Sequence, residues 1–267
     1  MTSLHRRVHA KVRTQLGRIG YGPHERSLEL VALETQFSDL GLNFQQARTD
    51  ASTLIDRHQL RRSDDSLHWE LFSAISSVVS PKRVLEIGTF RGEFTAFLGS
   101  LFPKSHIETW DLPSDAGPDM LEYSTDFSKY YHDQSETRNR NLNGLVNVRQ
   151  ILRDSSHLIR ESGTFDLLWV DGDHTFPVVA FDIINTVRLA SPKAWIVVDD
   201  IRLDASQGVT LGSTQSFDCI RHLTETGLIV SSLIYKRIGN SGRHWRDDRR
   251  RKHLAVLRPK VAQSHDI

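Results

Sequence analysis

A single cysteine, Cys219, stands in the 267 residues, so no intramolecular disulfide can form and no cysteine cluster can hold a metal. That usage suits a reducing compartment and makes a cytoplasmic location the expectation. Any bound metal must take oxygen or nitrogen ligands. Long apolar runs are also missing: none approaches the ~18–20 residues that a membrane-spanning helix needs, and those present are strand-sized and broken by charges. No membrane span is expected. The first 24 residues lack the apolar core of a secretory signal, although their five Lys/Arg and no acid are a composition shared with Arg-rich transit sequences. Repeats and low-complexity tracts are absent. With 38% apolar and 25% charged residues, collagen, a disulfide scaffold and wholesale disorder are excluded. The length suits one large globular domain, or a domain with an appendage.

What is present starts with an uneven charge distribution. The net charge is +1, yet residues 236–260 carry ten basic and two acidic side chains, while residues 25–235 carry 19 basic and 30 acidic ones. An acidic body therefore has basic ends. The run Arg249, Arg250, Arg251 and Lys252 could contact an anionic partner, or could be a solvated loop that balances the acidic body. A nucleic-acid partner is not expected, and the sequence leaves a homo-oligomer open.

Residues 27–60 are polar with spaced apolar positions, which favours helices, and the first 65 residues read as a helical N-terminal extension or cap. A further helix follows the capping residues Ser63, Asp64 and Asp65, carries Leu67, Leu71, Ile75 and Val78, and ends before Pro81. From Arg83 the pattern changes. Candidate strands are Val84–Ile87, His106–Trp110, Val146–Leu152, Asp166–Val170, Trp195–Val198, Leu228–Tyr235 and His253–Leu257, separated by amphipathic segments at Glu93–Phe102, Ser155–Glu161, Thr175–Leu189 and Ser213–Thr226. Such alternation implies an α/β fold, a doubly wound and mostly parallel seven-stranded sheet spanning residues 66–260, with a tail at 261–267. The polar stretch at about 113–143 is too long for a plain connection and reads as an inserted lid or substrate-facing segment.

The most informative stretch is VLEIGTFRGEFTAFL, residues 84–98. An apolar strand runs through Glu86 into Gly88, Thr89 and Gly92 and then directly into a helix. Two glycines four apart let the backbone approach a ligand and leave helix N-terminal amides free. The spacing departs from the three-glycine dinucleotide fingerprint, so a pyrophosphate turn is disfavoured. E-x-G-x-x-x-G after an apolar strand resembles the first motif of the class I S-adenosylmethionine-dependent methyltransferases. The resemblance implies that this turn faces the methionine part of the cofactor and that Asp111, at the end of the next strand, holds the ribose hydroxyls. An ionised carboxylate suits that task because it accepts from two neighbouring hydroxyls. Asp154 and Ser155 match the place where the family contacts adenine, although Asp154 reads equally well as a helix N-cap.

Two further segments end strands in acids: FDLLWVDGDHTF at 165–176 and AWIVVDDIR at 194–202. In an open parallel sheet the ligand crevice lies outside the carboxyl ends of the strands, so these acids should face the same crevice as Gly88 and Asp111. Several carboxylates together repel unless a cation or a proton joins them, and oxygen ligands suit Mg²⁺, Ca²⁺ or Mn²⁺. The pair of segments resembles the metal-dependent O-methyltransferases, both the catechol type and the D-G-D branch that modifies sugars and macrolides. That resemblance implies Asp171, Asp199 and Asp200 as ligands of a divalent cation such as Mg²⁺ and a small hydroxylated molecule as acceptor. His174 stands where the catechol type carries a lysine base, and a histidine can take the same proton. Asp171 would serve both cofactor and catalysis. Asp173 reads as a turn or N-cap residue, and a metal-free enzyme that uses these acids for substrate hydrogen bonds is the alternative for the whole cluster.

Other residues say less. Trp69, Trp110, Trp169 and Trp195 read as core, Cys219 as a buried small apolar residue, and Tyr123, Tyr130, Tyr131 and His132 as a substrate wall or as packing within the inserted segment. The fold supports many chemistries. Rival readings are therefore methylation of nitrogen, carbon or a macromolecule, and a non-catalytic binding module that works through its basic ends.

Overall fold

Seven apolar runs become the seven strands of one sheet. The structure, a computed structural model, describes residues 21–62, 64–113, 127–203, 214–239 and 251–260. The basic first 20 residues, Tyr123, the side chains of Tyr130, Tyr131 and His132, Arg249, Arg250 and the tail at 261–267 lie outside the described residues. The strands are β1 (Arg83–Ile87), β2 (His106–Asp111), β3 (Val148–Leu152), β4 (Phe165–Val170), β5 (Ala190–Arg202), β6 (Ile229–Tyr235) and β7 (Lys252–Pro259), in the spatial order β3-β2-β1-β4-β5-β7-β6. β1 pairs in parallel with β2 and β4, β2 with β3, and β4 with β5, while β7 runs antiparallel to both β5 and β6. The order reverses between β1 and β4, and a sheet that is wound outward from such a point leaves a crevice at the strand ends there.

Alternate residues of the central strands enter two separate cores, because successive strand side chains point to opposite faces. Val84, Ile107, Leu167, Trp169, Val197 and Val256 join one cluster; Leu85, Leu168, Val170, Ile196, Val198 and Leu257 join the other. A cap of helices covers the first face and extends beyond residue 65: α1 (Pro23–Ser38), α2 (Phe44–Arg57) and α3 (His68–Ser76) contribute Leu33, Phe37, Phe44, Leu71 and Phe72, beside α4 (Glu93–Leu101) with Phe97 and Leu98. The second face is covered by α6 (Val178–Leu189) and α7 (Thr214–Glu225), through Val179, Ile183, Leu189 and Ile220. Trp69, Trp110, Trp169 and Trp195 are all buried, whereas Cys219 is only half-buried against the second cluster.

Several boundaries differ from the expected ones. Residues Phe127–Leu142 form a helix, α5, packed on α4. Because β2 and β3 are parallel, a crossover must join them, and α5 is that crossover. The segment after Asp154 is a 3-10 helix, Ser155–Arg160, and α3 begins at His68 because Asp64 caps a preceding turn, accepting from Ser66 N at 3.1 Å. No helix among the described residues is long and apolar enough to cross a membrane.

The cap also holds the hairpin β6–β7. Glu29 on α1 pairs with Arg251 and accepts from Tyr21 Oη at 2.5 Å and from Gly239 N at 2.8 Å. Tyr235 N donates to Gln36 Oε1 at 3.0 Å, and Leu67 N, just ahead of α3, donates to the carbonyl of Lys236 at 2.8 Å.

Candidate active site

The glycine turn between β1 and α4 is closely packed. Gly88 has φ +98° and its N donates to Trp110 O at 2.8 Å, and a Cβ there would lie 2.1 Å from the carbonyl of Asp171. Only glycine lets the turn lie this close to the end of β4. Gly92, at φ +73°, caps α4, and a Cβ on it would meet the Leu142 side chain of α5 at 3.2 Å. Glu86 and Thr89 are buried in a polar network: Glu86 Oε2 accepts from Thr95 Oγ1 and from Thr109 Oγ1, each at 2.6 Å, and the Thr89 and Thr109 hydroxyls are 2.6 Å apart. Burial raises the Glu86 carboxyl to about 7, against the pull of the two hydroxyls. These two residues thus tie β1, β2 and α4 together around the turn.

Asp111 ends β2 beside that turn. Its Oδ2 accepts from Phe90 N at 2.7 Å and from Arg138 Nη1 at 2.8 Å, and its Oδ1 accepts from Leu112 N at 2.8 Å. A carboxylate has about four lone-pair sites, so capacity for a further hydroxyl remains. Burial moves Asp111 up while the Arg138 guanidinium and the two amides oppose it. Arg138 lies on α5, is buried, and has no partner for its Nε among the described residues. No motif in the sequence marks it. Asp154 caps the 3-10 helix through Ser156 N at 2.7 Å. Ser155 lies beside Asp182 of α6, whose 1% exposed carboxyl is raised to about 7 by burial.

At the end of β5 the chain bulges. Val198 pairs with Ala255 and Ile201 with His253, so Asp199 and Asp200 together face Leu254 alone, and Asp200 takes φ +56°. A bulge re-aims side chains, and here it lets two consecutive carboxylates reach one ammonium. Lys236, immediately after β6, donates to Asp199 Oδ2 and to Asp200 Oδ1, each at 2.5 Å, and Lys252 of β7 donates to Asp200 Oδ2. Asp199 Oδ1 is buried and, among the described residues, accepts from no amide, hydroxyl or ammonium, while the Asp171 carboxyl lies against Asp199. His174 Nε2 lies 3.6 Å from Asp171 Oδ1 and 3.8 Å from Asp200 Oδ2. One donor atom from each of Asp171, His174 and Asp199 falls within 4.8 Å of the other two.

The fields in this cluster are strong. Burial and the neighbouring Asp199 carboxylate raise Asp171 well above the ordinary range; Asp200, although burial opposes it, is pulled down to about 2 by Lys236 and Lys252. Burial lowers His174, so its imidazole is neutral at neutral pH, while Asp200 and Asp199 act to hold a proton there. Asp173 accepts from Thr175 N and Oγ1, both at 2.8 Å, which is the turn-capping role. His68, at the start of α3, is buried with its ring stacked 5.3 Å from Trp169, and its pKa is lowered to about 4, first by burial.

The structure therefore brings Asp171, His174 and Asp199 together beside Gly88, sets Asp111 against the same glycine turn, and engages Asp200 with two lysines and Asp199 with one of them. Lys236, Arg138 and His68 were not foreseen. Lys252 belongs to the basic run that read as a solvated loop or an anion contact.

Against known proteins, a family model described as a methyltransferase domain matches residues 85–201. No curated protein sequence matches the chain. Among solved structures, cofactor-bound Rv0187 from MTB superposes with a TM-score of 0.55 at 18% identity, over 80% of this chain and 90% of that one. A putative O-methyltransferase from Klebsiella pneumoniae gives 0.53 at 16% identity, over 79% and 90%. The O-methyltransferase TomG from Streptomyces achromogenes, solved in complex with SAM, gives 0.51 at 17% identity, over 86% and 96%. Likeness at such identities speaks for the fold, and the matched domain coincides with the strands that carry the glycine turn and the acids. The stretch that matches a methyltransferase domain, residues 85–201, carries the glycine turn and the acids at the strand ends, and the seven-stranded sheet has the Rossmann-like methyltransferase fold.

Proposed function

We propose that the protein methylates a hydroxyl oxygen of a small molecule with the help of a divalent cation. The observation that carries this reading is the convergence of Asp171, His174 and Asp199 in one cluster, beside the turn where Gly88 abuts Asp171. The residues fit a cation: Asp171, His174 and Asp199 each offer a ligand atom within 4.8 Å of the others, and the two carboxyls are close enough that a proton or a cation must relieve their repulsion. Asp171 and Asp199 Oδ1 would hold it. A divalent cation there would lower the pKa of an acceptor hydroxyl. A cytoplasmic location goes with this reading.

His174 is the base. It is neutral at rest and can take the acceptor proton at Nε2, where the Asp171 and Asp200 carboxylates would steady the imidazolium that results. S-adenosylmethionine, when bound, would supply a methyl group on a sulfonium sulfur, the S–C bond breaking as the O–C bond forms and its electron pair staying on sulfur. Asp111 would hold the ribose by accepting a hydroxyl on its remaining capacity, with Arg138 holding its carboxylate in place. The glycine turn would hold the methionine part, and Asp154 and Ser155 the adenine. Positioning oxygen, carbon and sulfur in line supplies much of the rate.

The test is calorimetry with S-adenosylmethionine and with Mn²⁺ or Mg²⁺, followed by turnover on hydroxylated acceptors. Wild type should bind both. His174→Gln should keep cofactor and cation affinity while turnover falls about 10²–10⁴-fold, the usual worth of a general base. Loss of cation binding in that variant would make His174 a ligand instead, and full turnover would remove it from the chemistry.

A further inference from the structure

We propose that Lys236 is a built-in cation of the acidic cluster: it occupies Asp199 Oδ2 and Asp200 Oδ1, so that an added divalent cation binds only to what they leave, Asp171 and Asp199 Oδ1, and binds weakly. This rests on the metal-assisted reading above. It departs from it in removing Asp200 from the ligand set.

The backbone fixes Lys236 in place. Its N donates to Lys252 O at 3.0 Å and its carbonyl accepts from Leu67 N at 2.8 Å, so the residue is held between the β6–β7 hairpin and the N-terminal cap. The side chain is 6% exposed, which leaves the ammonium no route to water without breaking both carboxylate contacts. An ammonium and a divalent cation that share one carboxylate repel across a few ångströms of poorly screened interior, and the repulsion lowers metal affinity. Asp200 is further committed because its second oxygen is taken by Lys252. The bulge at Asp199 and Asp200 is what points both carboxylates at Lys236.

The experiment is Mn²⁺ calorimetry on the full chain as wild type, Lys236→Met, Lys236→Arg, Asp200→Asn and Asp199→Asn, with S-adenosylmethionine binding measured on each. Lys236→Met should bind Mn²⁺ about tenfold tighter or better, while Lys236→Arg, which keeps the charge, stays within about threefold of wild type. Asp200→Asn should also stay within about threefold, because Asp200 is not a ligand, whereas Asp199→Asn should lose binding. Unchanged or weaker Mn²⁺ affinity in a folded Lys236→Met overturns the proposal, and so does a loss of about thirtyfold or more in Asp200→Asn, a test that does not depend on the lysine variant folding. Absence of Mn²⁺ binding in every protein, with S-adenosylmethionine binding intact, overturns it together with the metal-assisted step and leaves methyl transfer standing.

Discussion

A carboxyl that is 1% exposed and bonded only through hydroxyls keeps its proton to a higher pH than one in water, and Glu86 is such a group. Its folded value of about 7 stands above the ordinary 4.5. Between these values the folded protein holds a proton that the unfolded chain has released, so raising the pH favours unfolding across that window and has no further effect above it. Asp182, also raised to about 7, acts in the same direction. His68 opposes both: held at about 4, it makes the protein less stable as pH falls from 6.5 towards 4. Glu86→Gln should therefore flatten, without abolishing, the fall in stability between pH 5 and 7, and should stabilise the protein at pH 8 by up to about 3 kcal/mol. Urea unfolding of both proteins at pH 5 and pH 8 measures this, and an unchanged pH slope would show that Glu86 ionises in the ordinary range. The residue was legible in the sequence as part of the glycine motif, but its bonds to Thr95 and Thr109 were not, since they join residues 9 and 23 positions away.

At the scale of elements, short apolar runs located the central strands because a strand buried on both faces must be apolar along its length, whereas β3 and β6 at the sheet edges are more polar and only partly buried. The ends were less legible. β5 runs from Ala190 to Arg202, well beyond Trp195–Val198, since its outer residues satisfy their backbone through β4 and β7 whatever their polarity. The bulge at Asp199 and Asp200 left no mark in the sequence, because it depends on the register with β7. The N-terminal cap matched no motif, yet its first helix anchors the hairpin that bears both lysines. Glu29 is the anchor, buried and bonded to Arg251, Tyr21 and Gly239. Glu29→Ala leaves the Arg251 charge without that carboxylate, and breaking a buried pair in this way costs about 3–5 kcal/mol. The check is chemical denaturation, and a loss under about 1 kcal/mol would show that α1 does not brace the hairpin.

For the whole molecule, the charge asymmetry resolves into internal pairing. Arg251 meets Glu29, Lys252 meets Asp200 and Lys236 meets Asp199 and Asp200, so part of the basic C-terminal region is the counter-charge of the acidic body. A ligand that binds only the folded chain stabilises all of it: S-adenosylmethionine at a hundred times its dissociation constant should add about 2.7 kcal/mol, or roughly 5–10 °C in melting temperature for a chain of this size. A thermal scan with and without the cofactor measures the shift, and no shift at saturation would contradict cofactor binding to the native state. By itself the sequence determined the strand and helix alternation, the glycine turn and the acids that close β2, β4 and β5, because periodicity and turn chemistry act over a few residues. Only the tertiary structure decided which charges meet. Lys236 reaches Asp199 and Asp200 across 36 or 37 residues and Arg138 reaches Asp111 across 27, and such pairings follow from sheet order and crossover, not from any local pattern.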